Sequence, residues 1–296
     1  MSQGGDDKVY YGLAMISVIM FGVQFYTSDL YKNECGSGIK AAMLMGLLSG
    51  LVGTVSLLII NGFSVSVTPF TLIMGIIAAV NSVLYSIFSL KALTKINLSL
   101  YSLFAMLGGM LLPFFQGLFF YSEPFTLAKG LCLAFIGAAL LLTVEKGDKK
   151  GGAVYYIGVF ILNGMSGVLS KLFQELPYEK TSNADYSIWI AIMTAVISGV
   201  ILWGLLITFP DQERKFGIRS FAFGAAGGVL NRIANYLLLI ALTVLPSSVQ
   251  YPFVTGGVMI VSTAICFITG QKPSKKEVIS VALAFIGVLL LVCVPV

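Results

Sequence analysis

The sequence predicts an all-α integral membrane protein, with ten transmembrane helices arranged as two inverted five-helix repeats. Three observations predict it. The 296 residues are 57% hydrophobic and only 10% charged, whereas a soluble domain carries about a quarter charged residues. The apolar residues fall in runs of the roughly 20 residues that cross a bilayer as a helix. The second half of the chain also repeats landmarks of the first at a constant offset. A mean hydropathy of +0.95 excludes the two soluble domains that length alone would allow.

The first run, 10–31, follows a short acidic head at Asp6 and Asp7. It is too long, and lacks the small-residue cleavage pattern, for a removable signal peptide. The segment "KNECGSG" leads into 41–60, and "NGFSVSVTP" into 70–90. The brief "ALTKINLS" precedes 98–120, "YSEP" precedes 126–144, and "EKGDKKGG" precedes 153–174. The remaining spans are 186–208, 218–244, 247–269 and 277–294, punctuated by "FPDQERKFG", "ALTVLPSS" and "QKPSKK". Clusters of glycine, proline and polar residues of this kind end apolar helices. The breaks after the third and eighth spans are brief, so apolar runs alone allow nine or eleven spans.

The repeat settles the number at ten. "GIIAAVNSVLYSIFSLKALTKINLSLYSLFAMLGG" (75–109) aligns with "GAAGGVLNRIANYLLLIALTVLPSSVQYPFVTGGV" (224–258) at a shift of 149 residues. Gly75 falls on Gly224, "ALT" on "ALT", Ser99 on Ser248, Phe104 on Phe253, Gly108 on Gly257 and Pro124 on Pro273. "AFIGAALLL" (134–142) meets "AFIGVLLLV" (284–292) after a one-residue slip, and "VYYG" (9–12) echoes "VYYIG" (154–158). The halves are therefore 1–148 and 149–296, within one membrane domain. Five is odd, so the second half enters the membrane the opposite way round. Inverted repeats of this kind are a transporter design, with the substrate site near the midplane between the halves.

The chain also resembles the drug/metabolite transporter superfamily, specifically its ten-span EamA-type permeases. The resemblance lies in "AL" at the ends of the third and eighth helices and in the junction "YSEPFTLAKGLCLAFIGAALLL" (121–142). That junction is similar to the family's acidic-proline turn followed by a glycine-containing helix. The second half keeps Pro273 and "AFIG" but has Gln271 and Lys272 where the family usually shows a glutamate. The resemblance spans nearly the whole chain. It implies a central cavity lined by the first, third, fourth, sixth, eighth and ninth helices, with the fifth and tenth outside. It does not specify a substrate.

Charge suggests an orientation. Setting Arg232 aside, the side holding both termini has Lys8, Lys129, Lys171 and Lys180. The other thirteen cations lie opposite, from Lys32 and Lys40 through Lys146, Lys149, Lys150, Arg214 and Lys215 to Lys272, Lys275 and Lys276. The positive-inside rule then puts both termini outside, although the family resemblance implies cytoplasmic termini. The net charge of +5 needs no nucleic-acid partner, because cationic loops meet anionic headgroups. The expected partners are the lipid bilayer and a small-molecule substrate, in a bacterial cell membrane, as a monomer or homodimer. Four scattered cysteines (Cys35, Cys132, Cys266 and Cys293) and no histidine give no metal site and no disulfide framework. No cofactor is expected. No nucleophile motif, deep carboxylate pair or phosphate loop speaks for an enzyme.

Polar residues inside the spans are the candidate site. Serine, threonine and asparagine in membrane helices often just bond across helices, and glycine pairs such as Gly108–Gly109, Gly227–Gly228 and Gly256–Gly257 mark close contacts. Spacing adds information: Asn231 and Asn235 are four apart, on one face of the eighth helix. Their repeat mates are Ser82 and Ser86, with Asn81 and Tyr85 beside them. Gln24 on the first helix, Asn163 and Ser166 on the sixth, and Tyr101, Gln250 and Tyr251 at the starts of the fourth and ninth complete a candidate cavity. Tyr85 and Tyr251 could hold a cation or a planar ring. The span-end tyrosines Tyr10, Tyr11, Tyr121, Tyr155, Tyr156 and Tyr186, with Trp189, are expected in the interfacial belt.

Arg232 is the costliest of these residues. An ionisable side chain in a span marks a functional site with a partner. It lies about eleven residues beyond Phe221, or about 17 Å along the helix, near the midplane. Asp29 is the only carboxylate within a span's last turns, and it sits about 12 Å shallower by the same rise. Two readings stand. Arg232 is tied to backbone carbonyls, asparagines or Asp29, or its planar fork captures a substrate oxyanion. The lack of a deep carboxylate favours facilitated transport or exchange over proton coupling, with Asp29 the coupling or gating candidate. The expected function is a permease for a small organic metabolite, first an amino acid or other carboxylate-bearing solute. A carrier of cationic or aromatic solutes, a channel and a non-transporting membrane partner are the alternatives.

Overall fold

Long apolar runs broken by turn residues leave the backbone one way to satisfy its polar groups in lipid, which is the helix. The computed structural model describes residues 3–95, 98–122, 124–143, 153–209, 216–270 and 275–293. Among them the regular elements are ten α-helices. They are α1 (Gln3–Cys35), α2 (Ile39–Ile60), α3 (Pro69–Ala92), α4 (Leu98–Phe120) and α5 (Leu127–Thr143), then α6 (Ala153–Glu175), α7 (Asn183–Thr208), α8 (Ile218–Ala241), α9 (Ser247–Ile268) and α10 (Lys275–Cys293). Of the sequence landmarks, Pro273 and the cations Lys146, Lys149, Lys150, Arg214, Lys215 and Lys272 lie outside the described residues, as do the side chains of Ser99 and Cys293.

Among the described residues, seven helices are long and apolar enough to cross a bilayer: α1, α2, α3, α6, α7, α8 and α9. The chain is a multi-pass helical membrane protein. The described apolar stretches of α4, α5 and α10 are shorter. Helix α1 starts seven residues before the expected span, because an apolar window marks where lipid begins rather than where helical hydrogen bonding begins. Helix α3 starts at Pro69, after Thr68, whose hydroxyl accepts from the Thr71 amide at 3.2 Å. Helix α7 starts with a capping box: Ser182 accepts from the Asp185 amide, and the Asp185 carboxylate accepts from the Ser182 amide. These caps satisfy amides that the first turn leaves open.

The helices pack in a recurring set of pairs. Helix α1 lies against α8 and α9, α6 against α3 and α4, α2 against α7 and α8, and α5 against α10. Lipid gives apolar side chains no reason to leave it, so close backbone approach has to supply the contact. Glycines provide it. A Cβ on Gly228 would lie 2.5 Å from Cα of Ser49, and one on Gly227 would meet Thr27. Gly108 abuts the Phe160 backbone of α6, and Gly257 abuts Val18 of α1. Large apolar side chains such as Val55, Ile59, Ile73, Val200 and Trp203 face outward, which suits a lipid surround.

Side-chain ties define two ends. At the end we call upper, Asp185 at the start of α7 accepts from Asn61 Nδ2 and the Ser66 amide, both at 3.2 Å. There too, Gln174 near the end of α6 donates to Leu239 O at 2.7 Å, and Gln250 at the start of α9 donates to Leu238 O at 2.8 Å. Lys171 adds an ion pair with Glu175 at 3.0 Å and sits 5.3 Å from the Tyr121 ring centroid. Burial first and Glu175 second raise the pKa of the Tyr121 hydroxyl. At the lower end, Lys32 at the end of α1 donates to Leu93 O at 3.4 Å, Lys40 at the start of α2 donates to Phe209 O, and Lys91 lies 5.4 Å from the Tyr155 ring.

Candidate functional site

Seven helices enclose one cavity of about 130 Å³, lined from α1, α3, α4, α6, α7, α8 and α9. A buried water needs roughly 10–15 Å³, so there is space for a small organic solute. The helices set its depth. Phe21, Gln24 and Phe25 come from the middle of α1, and Ala78 and Ser82 from the middle of α3. Tyr186, Ser187 and Ile190 come from the first turns of α7, and Leu238 and Leu239 from the last turns of α8. The cavity therefore runs from the middle of the bundle toward the upper end. Asn235 is exposed within it.

Arg232 is on this wall. Its side chain is buried, at 7% exposure, and lines the cavity between Asn231 and Asn235. The stem packs over Gly53 of α2, where a Cβ would collide with Cγ of the arginine. Among the described residues no hydrogen-bond or ion-pair partner meets its guanidinium, and Nε is fully buried without one. Leaving a buried charge unpaired costs several kcal/mol. Neither asparagine restrains the arginine: Asn235 donates instead to Asn231 O at 2.8 Å.

Eight of the ten substrate-binding candidates line the cavity: Gln24, Ser82, Tyr85, Asn163, Asn231, Arg232, Asn235 and Tyr251. Several are also anchored. Asn163 donates to Ala105 O at 2.6 Å, which joins α6 to α4. Tyr251 donates to Gly167 O at 3.2 Å. Gln24 donates to Ser28 Oγ at 2.9 Å and leaves its own carbonyl oxygen buried without a partner.

Three candidates lie elsewhere, each for a structural reason. Asn81 turns toward α6, donating to Leu162 O at 2.9 Å and Ser166 Oγ at 3.0 Å. Tyr101 stands behind the wall: its hydroxyl meets Tyr85 and Ser89, each at 2.7 Å, and its ring meets Phe25 edge-on at 5.4 Å. It positions Tyr85. Asp29 pairs with Lys32 at 2.6 Å, one turn along α1, so its partner is a neighbour on its own helix and not Arg232.

Helix α7 supplies what sequence reading missed. Tyr186 was expected in the interfacial belt, yet it is 1% exposed and stacks on Phe173 at 3.9 Å. It lines the cavity, and its hydroxyl has no hydrogen-bond partner among the described residues. Span-end position was the misleading signal. The capping box just before it, which buries the start of α7, was the signal available. Gly53 gave none, because its role depends on where α8 packs. Lys171 is 7% exposed and pairs with Glu175.

Electrostatically the cavity is one-sided. Among the described residues lining it, Arg232 is the only charged group and none is Asp or Glu. No group of three or more histidine, cysteine or carboxylate side chains able to hold a metal occurs among the described residues. No protein-family model matches the chain, and no curated protein matches it. Among solved structures, one crystal structure superposes with a TM-score of 0.72 at 17% identity, covering 97% of this chain and 98% of the other. At that identity the likeness speaks for the fold alone.

Proposed function

We propose that this chain is a secondary carrier that moves a small organic solute by alternating access, with Arg232 as the anchor for the solute's oxyanion. One observation carries the reading: a buried arginine without a partner among the described residues, on the wall of a cavity large enough for a solute. An unpaired intramembrane charge is expensive to keep unless a ligand completes it, and the planar fork suits carboxylate or phosphate. Asn231 and Asn235 supply further donors and acceptors on the same face. The tyrosines on the wall, Tyr85, Tyr186 and Tyr251, favour a second reading, a solute with an aromatic ring.

The carrier has ten spans in two inverted halves, 1–148 and 149–296, as in the drug/metabolite transporter superfamily that its sequence resembles. Support comes from contacts at equivalent positions. Thr255 donates to Met106 O at 3.1 Å across 149 residues, which is the repeat shift. Gly108 and its mate Gly257 each abut the first helix of the opposite half. Ser86 bonds Ser82 O as Asn235 bonds Asn231 O. Both termini face outward across a bacterial cell membrane, so the cavity is the outward-open site.

Purified protein in liposomes tests the reading. A carrier gives saturable uptake and counterflow of an Arg232-dependent anion. Flux without saturation or counterflow would make it a channel, and no flux at all would refute the transport reading.

A further inference from the structure

The same site restricts the charge of its solute. Resting on the carrier reading above, we infer that the cavity selects a monoanionic carboxylate bearing hydroxyl or keto groups over the zwitterionic amino acid of the same shape.

Charge balance is the first reason. The described cavity wall carries one positive charge, Arg232, and no carboxylate. A monoanion leaves the occupied cavity neutral. A zwitterion satisfies the arginine with its carboxylate and then adds an ammonium for which the wall holds no counter-charge. A buried ammonium without an anion is far costlier than a neutral hydroxyl in the same place. A cation meets Arg232 with no compensation, and a phosphate dianion overshoots.

The neutral polar groups of the wall are the second reason. Ser166 and Ser170 of α6, Ser187 of α7 and Asn235 of α8 line the same cavity as Arg232. A serine hydroxyl or an asparagine amide donates or accepts, and so suits a solute hydroxyl or keto oxygen. None of them carries the negative charge that would offset a solute ammonium.

The test compares 2-hydroxyisocaproate with leucine, an isosteric pair differing in hydroxyl against ammonium. Thermal stabilisation of the purified protein and counterflow in liposomes are read for both. The expected result is at least a tenfold preference for the hydroxy acid, lost in Arg232→Gln. Arg232→Lys, which keeps the charge and covers the case in which Arg232→Gln does not fold, retains the preference with weaker binding. Equal or better handling of leucine overturns the monoanion inference and leaves the carrier reading intact. If neither compound binds or exchanges, while a phosphate ester or an amine does, the inference fails. If no anion of any kind is bound, the Arg232 anchor itself is wrong.

Discussion

The two ends of the bundle are tied at positions 149 residues apart by different chemistry. At the lower end Tyr101 and Ser89 meet through side-chain oxygens at 2.7 Å, with Tyr85 joining at the same distance. At the upper end the residues 149 positions on are Gln250 and Leu238, and the tie is a single bond from Gln250 to the Leu238 backbone at 2.8 Å. The lower tie links three side chains from α3 and α4 beside the packed cluster of Phe25, Leu93 and Leu98. The upper tie holds one helix start against one helix end, next to Leu238 and Leu239 on the cavity wall. Positions 149 residues apart therefore form a tie of three side chains at one end and a single bond to backbone at the other.

The sharpest break in that symmetry is Arg232, whose equivalent in the first half is Val83. Arg232→Gln should give the largest functional effect: hydrogen bonds to a charged group are worth about 1.5–3 kcal/mol, so anion uptake should fall by about tenfold to a hundredfold. Full uptake in a folded variant would remove the anchor. Gly53→Val comes next. Its side chain needs the space of the arginine stem, and overpacking costs about 1–3 kcal/mol. Both thermal stability and substrate affinity should drop, and an unchanged melting temperature would show that α2 yields.

Tyr101→Phe tests the lower tie directly. It removes the hydroxyl joining Tyr85 to Ser89, a loss of about 1 kcal/mol. Cysteines placed at the lower end should then react faster with a membrane-impermeant maleimide, while Gln250→Leu should not raise labelling there. Equal effects from both would mean that the ends are not separately tied. Tyr186→Phe should leave thermal stability unchanged or slightly raised, since the lost hydroxyl has no partner among the described residues, and should leave solute binding unchanged, since that hydroxyl is buried away from the cavity space. Asp29→Asn should matter least. Its pair with Lys32 is a contact within one helix, and Asp29 is not among the residues lining the cavity; a collapse of transport would establish a coupling role for Asp29.

The polar stripe on α8 was legible because residues four apart share a helix face, which no packing can change. The wall from α1, α3, α6 and α9 followed from the repeat and the family resemblance, which together named the helices that meet. Tyr186 was not legible, since a tyrosine at a span end fits an interfacial belt as well as a buried wall. Asn81 and Tyr101 carry the right chemistry, but their bonds go to α6 and to Tyr85, which sequence spacing does not reveal.

Sequence by itself determined that this chain is a set of long apolar helices, about where most of them lie, and that Arg232 sits deep within one of them. Those follow from hydropathy, turn residues and helical rise, all of which are local. Only the tertiary structure decided that Arg232 packs its stem on Gly53 and lacks a partner among the described residues, and that Asp29 turns to Lys32. It also decided that the cavity opens beside Tyr186. These depend on which helices touch and at what height, and in lipid small residues and single hydrogen bonds set that contact, because apolar side chains gain little by leaving one apolar surrounding for another.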